Sequence, residues 1–241
     1  MRKNRNYYIR KTHRYLGIII GIQFLFWTIS GLYFSWTDID EIHGDHFLEE
    51  TPHQTTLGLA GMDQIDSTLN VSSLVLKFIN GDPYYWVNDS TLIEAKTGSV
   101  KHEISKEEAI AIAEEHVADP YKIKDIQYIT EVDDHHEYRG RPLPAWAIGY
   151  EGSQKLTAYV SAKDGSFQRV RHRDWRWFDF LWMTHTMDYE SRDDFNNWLL
   201  RSFSAFGLLT VLSGFVLFYI SSPTVRKIKK IPSNKSKATA K

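Results

Sequence analysis

The sequence predicts an integral membrane protein in which two transmembrane α-helices flank an extracytoplasmic α+β domain with an antiparallel sheet. Three observations carry this: two long uncharged apolar runs, a segregation of charge along the chain, and period-two alternation between the runs. The 241 residues have a formal net charge of -1, which conceals the segregation. Residues 1–14 hold six Lys/Arg and residues 221–241 hold seven, with no acid in either stretch. All 30 acids lie between Asp38 and Asp194 among 15 Lys/Arg, a local balance of -15.

Tyr15 to Trp36 is free of charge for 22 residues, roughly 33 Å of helix at 1.5 Å per residue, which matches a bilayer core. It is longer than the apolar core of a signal peptide and lacks a small-residue cleavage site, which favours an uncleaved anchor. The second run is Ser202 to Val225. Both basic tails fall on one side, which the positive-inside rule makes the cytoplasm. The expected organisation is a basic cytoplasmic tail (1–14), a first transmembrane helix (15–36), an extracytoplasmic domain (37–174), an aromatic interfacial segment (175–198), a second transmembrane helix (199–222) and a second basic tail (223–241).

Within the middle region, TDIDEIHGDH after Trp36 reads as a helix end or loop. Residues 71–80 and 83–87 alternate like strands around the turn signal Asn80-Gly81-Asp82, and LIEAKTGSV adds a strand and turn. Ser105 and Glu108 have capping-box spacing at the start of a helix that ends before Pro120. IKDIQYIT, PAWAIGY, LTAYVSA and FQRV then read as strands, with EVDDHHEYRGRP as a loop. One sheet with the helix on one face is expected, burying Ile110 or Ile112 and Trp146. AKTGSV and AKDGSF hint that a strand-turn-strand unit occurs twice.

The composition excludes several chemistries. The chain is 42% hydrophobic, so it is not a disordered tail, and it has no cysteine. That removes thiol nucleophiles, disulfides, iron–sulfur clusters and covalent c-type haem. Hydrolase, zincin, P-loop and dinucleotide fingerprints are absent from the sequence. With apolar runs beside them, the basic tails point to anionic lipid rather than nucleic acid.

SKEEAIAIAEEH, PAWAIGY and LTAYVSAKDGSF, with RKTHRYLGIIIGIQFLFWTISGLYFSW and FDFLWMTHTMDYESRDDFNNWLLRSFSAFGLLTVLSG, resemble PepSY-domain proteins of the PepSY-associated transmembrane helix type. The resemblance covers nearly all of residues 7–220 and implies a PepSY-like middle domain. It also implies a bacterial inner-membrane protein linked to iron acquisition. Some longer members of that family, with four or more transmembrane helices, bind b-type haem through histidines and reduce ferric siderophores, and this chain resembles half of such a protein. Two readings follow. In the first, a haem-dependent ferric siderophore reductase component passes electrons outward to ferric iron or a ferric siderophore, paired with itself as a homodimer or with a membrane redox partner. In the second, a non-catalytic PepSY membrane module binds or regulates a partner protein.

The histidines are the candidate haem-iron ligands. His13 matches the family's HR(Y/W)LG motif and shares a stripe with Gly17 and Gly21, where a macrocycle or another helix can approach. The alternative is an interfacial histidine beside lipid phosphates. His185 matches the family's Leu-x-x-x-His position and lies between Met183 and Met187 among belt-type aromatics; alternatively it faces solvent on an interfacial helix. His43 and His46 are three apart, so a continuous helix would put both rings on one face. They belong to the cluster Asp38, Asp40, Glu41, His43, Asp45, His46, which reads as an iron or zinc site or as a solvated acidic segment. Asp133, Asp134, His135 and His136 read as a polar turn. His53, His102, His116 and His172 carry no signal beyond surface positions.

Overall fold

The computed structural model describes residues 5–61, 65, 70–118, 121–192 and 194–223. Every Lys/Arg of the C-terminal basic tail, the start of the N-terminal one, and Pro120 lie outside the described residues. The chain divides into two compact units, Met1–Tyr33, Met183–Tyr189 and Asp193–Lys241 on the one hand, and Phe34–Trp182 with Glu190–Arg192 on the other.

The first unit is built on two long apolar helices, α1 (Arg5–Trp36) and, at the far end of the chain, a helix over Trp198–Ser221. Both have the length and hydropathy to cross a bilayer. Shielded positions on α1 recur at Ile9, His13, Leu16, Ile20, Gln23, Trp27 and Ser30, alternating steps of four and three along one face. Outside that stripe, Ile18, Ile19, Ile22, Leu25, Phe26 and Ile29 are exposed, as are Leu208, Leu209, Val211 and Phe215 on the C-terminal helix. Such surfaces are at home in hydrocarbon. The two helices meet where a side chain on Gly207 would approach the Phe24 ring to 3.1 Å.

In the second unit, α2 (Ile39–His43) and a 3-10 turn (Asp45–Phe47) precede the strands. β1 (Leu74–Ile79), β2 (Asp82–Val87), β3 (Thr91–Glu94) and β4 (Val100–Lys101) form an antiparallel meander. Asn80-Gly81, both at positive φ, makes its first hairpin turn. Helix α3 (Lys106–His116) starts at a complete capping box between Ser105 and Glu108, worth about 1 kcal/mol. β5 (Ile123–Ile129), β6 (Ala145–Tyr150), β7 (Thr157–Ser161) and β8 (Phe167–Arg171) form a second meander, followed by α4 (Arg173–Thr186) and then α5, the C-terminal helix already described.

The expected single sheet is therefore two. β4 has two residues and, among the described residues, pairs only with β3. The chain then crosses to the other sheet, where Ile104 N–H donates to Ala162 O at 2.7 Å and its carbonyl accepts from Trp146 Nε1 at 2.9 Å. The core remains shared: Ala109, Ile112 and Ala113 of α3 cluster with Ile79 and Leu92 of one sheet and Ile148, Val160 and Val170 of the other. Ile112 is buried as expected, whereas Ile110 and Trp146 are half-buried.

The hinted repeat is real in the hydrogen bonding. Gly98 N–H donates to Glu94 O and Glu94 N–H to Ser99 O; Gly165 N–H donates to Ser161 O and Ser161 N–H to Ser166 O. Both glycines have positive φ, and an added Cβ would stand 3.3 Å from Ile65 at the first and 3.3 Å from Ile112 at the second. Each turn joins the third and fourth strands of its meander, and each needs glycine for conformation and for clearance.

The opposite face of the second sheet buries tyrosines. Tyr138 stacks on Tyr159 at 4.7 Å, with its hydroxyl donating to Pro142 O. Tyr150, by contrast, is buried in the core shared with α3, edge-to-face with Tyr121. Burial pushes Tyr138 and Tyr150 each up to about 12, and raises Tyr159 further with help from the Glu137 carboxylate it bonds. A folded pKa above the unfolded value of 10 stabilises the fold fully below pH 10, and that contribution is lost as pH rises through 12. Alkaline titration followed by tyrosinate absorbance should show the exposed tyrosines first and the remainder only with cooperative loss of near-ultraviolet circular dichroism. A single early wave with the fold intact would refute this burial.

Candidate functional site

His13 and His185 both belong to the helical unit and share one bonding pattern. His13 Nδ1 lies 2.7 Å from Ser213 Oγ on α5, and His185 Nδ1 lies 2.7 Å from Ser30 Oγ on α1. Each serine directs its single proton at its own helix: Ser213 Oγ donates to Thr210 O at 2.7 Å and Ser30 Oγ to Phe26 O at 2.7 Å. The serine oxygen is then an acceptor towards histidine, so the network assigns the proton to Nδ1 and the lone pair to Nε2 in both rings. Burial holds His185 below the usual imidazole range, which favours the neutral form.

The backbone around His185 is fixed from three sides. The last carbonyls of a helix have no intrahelical donors, and at the end of α4 side chains supply them. Gln23 Nε2 donates to Thr184 O at 3.0 Å, Trp27 Nε1 to His185 O at 2.8 Å, and Asn197 Nδ2 to Thr186 O at 3.0 Å. Met187 follows in a left-handed conformation and is buried.

Around His13, a Cβ on Gly214 would lie 3.5 Å from its Cε1, while one on Gly17 or Gly21 would meet nothing within 4 Å. The glycines that serve contact between the two helices are thus Gly207 and Gly214 of α5. Gly17 and Gly21 keep an open face on α1.

These features fit an imidazole ligand set. A metal-ligating histidine coordinates through one ring nitrogen and donates its other N–H to an acceptor that fixes its orientation, and both rings carry that second bond. Ser30 and His13 stand on one helix, about 25 Å apart by the helical rise.

His43 and His46 are arranged differently from the continuous helix expected of them. Gly44 ends α2 at φ +92, so the two exposed rings do not share a helix face. A side chain cannot replace it cheaply, because its Cβ would stand 2.6 Å from Val170 Cγ2. Asp38 caps α2 by accepting from Asp40 N–H at 2.9 Å. Among the described residues no group of three His, Asp or Glu side chains stands close enough together to hold a metal ion. Asp133 and His136 are engaged within their own turn, as expected of a polar loop.

His172, given no role from the sequence, is buried at 2% exposure, and its Nε2 donates to the carbonyls of Glu41 and Ile42 at 3.1 Å each. It anchors α2 to the end of β8. The residues sequence reasoning missed most completely are the charged ones of loop 130–142. Glu137 receives two hydrogen bonds from Arg176 and one from Tyr159. Arg139 and Arg192 share Asp179.

A family model described as the PepSY-associated TM region matches residues 10–236. No curated protein and no solved structure matches the chain.

If the serine–histidine contacts hold the helical unit together, Ser30 and His185 should be energetically coupled. A double-mutant cycle of Ser30→Ala and His185→Phe, read by unfolding in detergent, should give about 0.6–1.7 kcal/mol of coupling. The unrelated pair Ser213 and His185 should give none. Equal values for the two pairs would remove the contact from the argument.

Proposed function

This chain belongs to the PepSY-associated transmembrane family, and we propose that it is a membrane redox protein that holds b-type haem through His185 and His13. It would pass electrons outward to ferric iron or a ferric chelate. The membrane setting itself follows from the family and the two apolar helices. The single observation that carries the proposal is the repeated serine–histidine pair, which leaves Nε2 of each ring as the basic nitrogen. Haem would supply one-electron chemistry at each histidine.

The protein's part is to hold the two imidazoles in fixed orientation. Ser30, Trp27 and Gln23 do this for His185, and Ser213 does it for His13. The sequence offers His43 and His46 as candidates for a second axial ligand, and Met183 and Met187 flank His185 in the chain. At the His13 level α5 offers no histidine, so the second ring would come from another copy of the chain or a redox partner. The charge segregation supports a bacterial inner-membrane location with both termini cytoplasmic and residues 37–198 outside.

Full-length protein purified in detergent from a haem-replete host should show a Soret band with α and β bands on reduction. His185→Ala should abolish or shift one haem population. His13→Ala should affect a separate population present only in oligomeric preparations. Wild-type protein without Soret absorbance would overturn the redox reading and leave a partner-binding membrane module in its place. For topology, a reporter active only in the cytoplasm should work when fused after Lys241 and fail when inserted at Gly140; the reverse pattern would refute the orientation.

A further inference from the structure

We infer that the cavity between β8 and the α2 segment is a binding site for a small multivalent oxyanion, a molecule bearing several carboxylate or phosphate groups. The cavity has a volume of about 450 Å³ and is lined by Arg141, Arg169 and Arg171, with His43 and a single acid, Asp45. That volume suits a small organic ligand.

The pairing of arginines in this unit singles the cavity out. Arg139 and Arg192 pair with Asp179, Arg176 with Glu137, and Arg173 with Asp174. Among the described residues, none of the three arginines lining the cavity has a carboxylate within 4 Å. The chain has acids to spare in this region, so the omission is local and is not forced by composition.

Arg169 and Arg171 are held in place without being neutralised. They alternate on one face of β8. Arg171 is 7% exposed; its guanidinium lies 4.1 Å from the Trp175 ring centre and donates to the carbonyls of Val170 and Glu137. Glu137, the carboxylate that acts on it most strongly, is already bonded by Arg176 and Tyr159. Arg169 Nε is shielded from water with no hydrogen-bond acceptor. A buried donor left unpaired costs about 1–3 kcal/mol, which an acceptor arriving with a ligand would recover. A guanidinium presents a planar fork that matches carboxylate and phosphate oxygens two at a time. With three such groups around one cavity, a ligand with several oxyanion groups is preferred over a single small anion. The three arginines are distinct from His13 and His185, and His43 is the one lining residue that the haem reading also uses.

The test uses full-length protein in detergent, titrated calorimetrically with citrate and with inorganic phosphate at constant ionic strength. One saturable site per chain is expected. Arg169→Gln and Arg141→Gln should each weaken it about tenfold to a hundredfold, the loss of a charge-assisted hydrogen bond. Arg141 is exposed, so its variant keeps the fold even if replacing Arg169 disturbs it. Arg173→Gln, which removes an exposed charge paired elsewhere, should bind like the parent. Citrate binding alone identifies a polycarboxylate site, and phosphate binding alone a phosphoryl site. No saturable binding of either anion, or equal weakening by Arg173→Gln, overturns the proposal.

Discussion

A polar side chain on a membrane helix has no water to satisfy it, and that constraint organises the helical unit. Lipid offers no hydrogen bonds, so each polar group on α1 and α5 must find its partner within the protein. Ser30 and Ser213 spend their protons on their own helix carbonyls and their lone pairs on histidines. Gln23 and Trp27 spend their donors on the end of α4. The result is a stripe on α1 where nearly every polar position has a named partner, and the same bonds fix the tautomer of both histidines. Orientation of a potential ligand is thus a by-product of what the bilayer already demands.

The sequence made the periodic and the local legible. Both apolar runs, the Ser105 capping box, the Asn80-Gly81 hairpin and the doubled Lys-x-Gly-Ser turn are signals contained within a few residues, and the structure has each of them. The break into two sheets was not legible, because strand patterns give alternation but not which edges pair, and the break depends on β4 being only two residues long. The His43–His46 spacing misled for a related reason: spacing implies a shared face only on a continuous helix, and Gly44 interrupts it. Gly44 was itself the available signal, a glycine between two polar residues at the end of a one-turn helix.

His172 and the loop 130–142 were beyond reach for another reason. A histidine at the end of a strand looks like any surface polar residue until its carbonyl partners, 130 residues earlier, are known. Likewise Glu137 and Arg139 read as ordinary loop charges, yet their partners Arg176 and Asp179 lie 39 and 40 residues downstream on α4. Composition supplies the charges, and only the fold decides which of them cancel. That is why the paired arginines and the unpaired ones are indistinguishable in the sequence.

The contrast between a strongly acidic middle region and a cavity ringed by arginines has a physical consequence for what can bind there. At physiological ionic strength, exposed charges are screened beyond about 8 Å, so the overall negative balance weighs little at contact distance. A buried guanidinium is screened far less, and it dominates locally. Burial draws Arg171 down to about 10, which still leaves it charged at every physiological pH. Imidazole ligation has the opposite character, because a ring binds metal only when neutral and is lost to protonation as pH falls. The two proposed activities therefore rest on groups of different chemistry: imidazoles that must offer a lone pair, and guanidiniums that keep their charge.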